Sequence, residues 1–186
     1  MKKTLSIMLV LIIAITLSSC ASVKIDNDIE NYAADVEECC ASLFMPELEE
    51  LPNYKEVEYY SKKSDGLFAE SSIQLIVSYE EEIFLKEKER LKTAYTYLDE
   101  PQKNEGDDAL YTIPLAEFSV AGFDFKVAKF DDTFYPKYFG MVGISDEKCQ
   151  IAYLWVYAID LDYICKTDAN EIKEMTEFIE DRFSLE

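Results

Sequence analysis

Ile151-Ala152-Tyr153-Leu154-Trp155-Val156-Tyr157-Ala158-Ile159 runs for nine residues without a charged side chain. A strand with one wet face alternates apolar and polar residues, whereas a strand covered on both faces reads as a continuous apolar run. This stretch is rich in aromatic and β-branched residues and predicts a strand over 150–159 at the centre of a sheet. Tyr153, Trp155 and Tyr157 fall on one of its faces, a pattern of core packing rather than of an exposed sugar-stacking platform.

Working outward, three more strand-like pieces precede it, at 111–120, 123–130 and 138–145. Ala121-Gly122 and Ser145-Asp146-Glu147-Lys148 serve as turns, and Phe123 and Phe125 alternate inward. Further upstream, Lys55-Glu56-Val57-Glu58-Tyr59-Tyr60 alternates, Ser64-Asp65-Gly66 supplies a turn, and Ile73, Leu75, Val77 and Tyr79 recur at period two. That reads as an antiparallel hairpin. Between these two groups, residues 99–108 contain no apolar side chain and predict a mobile surface loop rather than a domain boundary.

Three helices complete the pattern. The first, over 28–44, places Ile29, Tyr32, Ala33, Val36, Cys40 and Leu43 on one face, with Asn27 or Asp26 as cap and Pro46 as its end. A second, over 80–98, follows the capping box Ser78-Tyr79-Glu80-Glu81 and buries Phe84, Leu91, Ala94, Tyr95 and Leu98. The last opens at Thr167 or Asp168 and buries Ile172, Met175, Ile179 and Phe183. The predicted order is α-β-β-α-β-β-β-β-α: an α+β fold with a mainly antiparallel sheet.

The N-terminus speaks about address instead of fold. Lys2 and Lys3 precede an apolar run from Leu5 to Leu17, which then meets Ser18 and Ser19. A positive end, an apolar middle and a small-residue exit make a secretory signal, and the run is shorter than the about 20 residues a spanning helix needs. Leu17-Ser18-Ser19-Cys20 resembles the lipobox of bacterial lipoproteins, in which the cysteine receives a diacylglyceryl group before cleavage in front of it.

The resemblance implies a cleaved signal peptide at 1–19, a lipidated Cys20, a short tether over 20–27 and one extracytoplasmic domain over 28–186. The protein is then held to the outer face of the cell membrane by lipid, palmitate included, with the membrane as its first partner. At about 3.3 Å per residue a seven-residue tether allows a reach on the order of 25 Å. In general appearance the mature part looks like small, acidic lipoproteins of low-GC Gram-positive bacteria. Tyr135-Pro136-Lys137-Tyr138-Phe139-Gly140-Met141 and Ile151-Ala152-Tyr153-Leu154 carry that likeness, which implies location and lineage but no activity.

Composition narrows the chemistry. Of 186 residues, 38 are acidic and 18 basic, and removing Lys2 and Lys3 takes the formal charge from −20 to −22. That charge repels phosphate backbones, so nucleic acid is excluded as a partner. Hydrophobics at 49% and aromatics at 13% rule out a disordered acidic tail. The chain has no histidine, which removes Ser-His-Asp and Cys-His nucleophiles and HExxH metal sites together.

Cys39, Cys40, Cys149 and Cys165 have no zinc-ligand spacing and read as mostly buried thiols, Cys40 on the apolar helix face. Asp160 and Asp162 begin a segment whose fifth and sixth residues, Ile164 and Cys165, do not suit a calcium loop. No catalytic residue, metal or cofactor is assigned. The aromatics expected at the surface are Tyr59, Tyr60 and the run Phe134, Tyr135, Tyr138 and Phe139, the last four being the candidate contact surface. The functional expectation is a non-catalytic binding or interaction domain, its partner an envelope protein or a small ligand. The alternative is a carboxylate-dependent enzyme acting on envelope polysaccharide, marked by an acid-lined cleft with two carboxylates about 5–9 Å apart.

Overall fold

The computed structural model describes residues 22–65, 69–104, 106–130, 138–159 and 161–185. Its centre is the strand that the apolar run predicts. Numbered along the chain, the strands of the main sheet are β1 (Val23–Asp26), β2 (Glu56–Ser64), β3 (Glu70–Ser78), β6 (Glu117–Val120), β7 (Phe123–Val127), β8 (Tyr138–Ser145) and β9 (Gln150–Ala158). They lie in the order β1-β2-β3-β9-β8-β7-β6, so β9 is fourth of seven, and every pairing is antiparallel. A second, three-stranded sheet joins β4 (Gln102–Lys103), β5 (Leu110–Ile113) and β10 (Cys165–Lys166) in the order β10-β5-β4. Among the described residues the α-helices are α1 (Tyr32–Glu38), α2 (Glu81–Ala94) and α3 (Glu171–Arg182). The chain is thus α+β, as expected.

From Ile151 onward β9 is apolar because each face meets its own core. Tyr153 and Trp155 point into a cluster with Ile73, Leu75 and Val77 of β3, covered by α1 and α2. Ala152, Leu154 and Val156 point into the other, with Phe139, Met141 and the Met175, Phe178 and Ile179 side chains of α3. Phe123 and Phe125 are likewise buried.

Glycine is required where a ring lies flat on β8. A Cβ on Gly140 would sit 2.6 Å from Cγ of Phe44, and one on Gly143 would collide with the ring of its cross-strand partner Phe125. Because protein cores do not yield to added methyls, Gly143→Ala should lower stability by about 1–3 kcal/mol in urea unfolding, with the slope unchanged. Wild-type stability in that variant would show that Phe125 has room to move.

Several boundaries differ from the sequence pattern, each for a local reason. Residues 28–44 do not form one helix. A 3-10 turn at Ile29–Asn31 leads into α1, which stops at Glu38, and Cys40 takes a left-handed backbone (φ 54°) before another 3-10 turn at Ala41–Leu43. The reversal turns Cys39 inward and leaves Cys40 exposed, opposite to the expectation for Cys40. The end of α1 also frees carbonyls, and the Trp155 indole donates to that of Cys39 at 3.1 Å. The four cysteines among the described residues form no disulfide, Cys39 and Cys165 being buried and Cys149 half-buried.

α2 begins at Glu81 without a side-chain cap, because Ser78 belongs to β3. It ends at Ala94, where Tyr95 turns extended and the chain runs beside the end of β7, Leu98 donating to the Val127 carbonyl. The predicted strand at 111–120 is split at Pro114, whose nitrogen can donate no ladder bond, so β5 and β6 serve different sheets. The polar stretch 99–108 is pinned: β4 pairs with β5, and the Asn104 amide donates to the Asp162 carbonyl at 2.8 Å. Hydrogen bonds hold it where apolar side chains are lacking. α3 is capped by Asn170, not Thr167 or Asp168, and Ile172 in its first turn is exposed. Finally, Val23–Asp26, read as tether, pair with β2 as the edge strand.

Candidate functional site

The predicted aromatic surface is not assembled at its described end. Phe134 and Tyr135 lie outside the described residues, as does Cys20. Phe139 is 1% exposed and stacks on Phe178 beneath α3 at 5.7 Å, while Tyr138 is half-buried and stacks on Trp155 at 5.2 Å. Neighbours on a strand point to opposite faces, so both cannot share a patch. Tyr59 is also buried, on the face of β2 that α1 covers, while Tyr60, on the opposite face, is half-buried.

What β2 builds instead is a closed polar cluster. Tyr59, Ser61 and Lys63 project at period two toward α1 and converge on Asp35, itself 5% exposed. The Tyr59 and Ser61 hydroxyls donate to Oδ2, the latter at 2.7 Å, and the Lys63 ammonium donates to Oδ1 at 2.8 Å while also pairing with Glu38. Burial pushes the Asp35 carboxyl up, but the bonds from Lys63, Tyr59 and Ser61 outweigh it and hold the group below its ordinary range. Tyr59 is driven up, by burial first and then by the bond to Asp35. Every strong donor is used, so the cluster ties helix to sheet and offers nothing to a substrate.

Glu87, the other buried acid among the described residues, is on α2 and accepts from the Arg90 Nε at 2.9 Å. A general acid needs a carboxyl whose proton is retained near neutral pH. Asp35, held below its ordinary range, is disposed the other way, and Glu87 is closed off by its ion pair with Arg90.

An open site is found where α2 fails to cover the sheet. Along β7, Phe123, Phe125 and Val127 turn inward, leaving Asp124 and Lys126 on the opposite face beyond the reach of α2. A groove of about 270 Å³ runs between that helix and β7–β8. Its floor is Leu91, Val142, Ile144 and Tyr97, and its rim carries Lys88, Lys92, Lys126, Asp124 and Asp146. Lys88 reaches across to Asp146 at 2.5 Å, and Lys126 pairs with Glu117 at 2.5 Å. Lys92 pairs with Glu89 at 2.5 Å, so each of the three rim lysines has an acid beside it and the rim is one of paired charges over an apolar floor.

Sequence reasoning missed this groove because helix and strand residues far apart in the chain line it, and no local period joins them. A further groove of about 260 Å³ is lined by Leu98, Asp99, Glu100, Lys129, Phe130 and Tyr138 among others. Its two acids, Asp99 and Glu100, are chain neighbours, and Lys129 shares the lining.

Among the described residues no group of three His, Cys, Asp or Glu side chains could hold a metal ion. Nor, among them, is any helix long and apolar enough to cross a membrane. Compared with family models, with curated proteins and with solved structures, the chain shows no match.

Proposed function

We propose that this chain is an exported lipoprotein, cut before Cys20 and lipid-anchored on the outer face of the cell membrane, whose domain binds a ligand and does no chemistry. The motif Leu17-Ser18-Ser19-Cys20, closing the apolar run directly, carries the anchoring. Two or more acyl chains at about 0.8 kcal/mol per buried methylene give a lasting attachment. Intact mass and detergent phase partitioning of the protein from its own membranes test it. Wild type should carry diacylglycerol mass on Cys20 and stay with the membrane, and Cys20→Ala should be released. Equal release of both, without lipid mass, removes the anchor from the proposal.

The binding half rests on the groove between α2 and β7–β8. An apolar floor under a rim of lysines, each paired with an acid, suits an amphipathic ligand, a small molecule or the end of an envelope protein segment, whose apolar body lies on the floor while its acidic group exchanges with a rim carboxylate for a lysine. Anilinonaphthalene sulfonate has that chemistry and reports by fluorescence. We expect the Lys92→Gln, Lys126→Gln double variant, which removes the charges without creating like-charge pairs, to bind it several-fold more weakly with the fold retained, both positions being exposed rim lysines. Undiminished binding would mean the groove is not where such anions go. A carboxylate-dependent enzyme finds less support, since the buried carboxylates of Asp35 and Glu87 are both held in ion pairs.

A further inference from the structure

Ser22 is already part of the fold. The Asp65 amide donates to its carbonyl at 3.1 Å, and its hydroxyl donates to the Asp65 carboxylate at 2.9 Å. β1 comes directly after it, paired from Val23↔Ser64 to Asp26↔Ser61. Only Ala21 separates Cys20 from backbone fixed in the sheet. Two residue steps span at most about 7 Å, roughly the depth of one lipid headgroup layer. The reach on the order of 25 Å expected of a free seven-residue tether is therefore not available, because that segment is strand.

We infer that the corner of the sheet formed by Ser22, β1 and the Ser64–Asp65 end of β2 is seated in the headgroup layer of the bilayer, with the groove of α2 opening away from it. This rests on the reading that Cys20 carries lipid. The corner has the chemistry for that position. Val23 and Ile25 are 56% and 60% exposed and project from one face of β1. The outer edge of β1 pairs with no strand among the described residues. Its backbone groups cannot enter hydrocarbon, so the strand stops at headgroup depth, where water and phosphate satisfy them.

Charge agrees. Residues 22–26 and 61–65 contain three lysines (Lys24, Lys62, Lys63) and two aspartates (Asp26, Asp65) in a chain of net charge −20. Lys24, whose side chain is 70% exposed, can meet phosphate headgroups there, while Lys63 is held by Asp35 and Glu38. β9 spans nine residues from Ala158, beside the corner, to Gln150, about 26 Å at about 3.3 Å per residue. The turn after β8 at the far end holds Asp146, which meets Lys88 at the mouth of the groove.

Lysine acetylation, read by mass spectrometry on the lipidated full-length product in phosphatidylcholine vesicles doped with phosphatidylglycerol, tests the inference. Lys24 and Lys62 should react several-fold more slowly on vesicles than in detergent-free Cys20→Ala protein, with Lys88, Lys92 and Lys126 unchanged. A flexible Gly-Ser insert after Ala21 should restore Lys24 to its solution rate while lipid mass on Cys20 persists. Uniform rates with lipid present, or protection at Lys88 and Lys92 instead, overturn the orientation and leave the anchor standing. Absence of lipid on Cys20 overturns the anchor and the orientation with it.

Discussion

Asp35→Ala is expected to lower the stability of the domain by about 3 kcal/mol, within the range for breaking a buried ion pair. Removing the carboxylate strands the Tyr59 and Ser61 hydroxyls, both in buried positions, and leaves Lys63 with Glu38 alone. The loss lies at the lower end of that range because Glu38 still compensates the ammonium. Urea unfolding at neutral pH reads the loss, and a change under about 1 kcal/mol would show that water or rearranged side chains replace the carboxylate at little cost.

The same carboxyl sets a pH dependence whose sign comes from its titration. Asp35 is held below the ordinary carboxylate range in the folded protein. Its contribution is therefore complete above the unfolded value of about 3.9 and is lost as pH falls through that value toward the lower folded one. The gap between wild type and Asp35→Ala should stay constant from neutral pH down to about 5 and narrow below about 4. A gap that widened on acidification would assign the acid sensitivity elsewhere.

Trp155→Ala should cost about 3–5 kcal/mol, the range for deleting a large aromatic from a core. Trp155 is 0% exposed at the middle of the central strand. Phe44 stacks on it at 5.9 Å, Phe130 meets it edge-on at 5.7 Å, and Tyr138 stacks at 5.2 Å. Deletion opens a cavity under rings that belong to three separate segments and orphans the Cys39 carbonyl. Trp155→Phe, which keeps the stacking but not the indole donor, should recover most of the loss. If Phe and Ala cost the same, the hydrogen bond to Cys39 outweighs the packing.

By itself the sequence determined those features that periodicity and residue type dictate. An uncharged nine-residue run placed β9 at the centre of the sheet, and period-two apolar positions paired β2 with β3. Helical spacing located the buried Met175 and Ile179 of α3, and the absence of histidine removed whole classes of catalysis. These readings are local, and water enforces them on any fold that buries such a chain.

Tertiary structure decided the rest, because it turned on which long-range partner met each segment. Nothing local in Val23–Asp26 says that β2 has a free edge to receive it, yet that pairing removes the tether. Phe139 sits in an aromatic, charged run that reads as surface, until alternation on β8 places it under α3. Cys40 fits an apolar helix face only while α1 continues, and the chain reverses there so that Phe44 can reach Trp155. Asp35 resembles any acid on a wet helix face, and only β2 packed against α1 supplies the three donors that make its burial favourable.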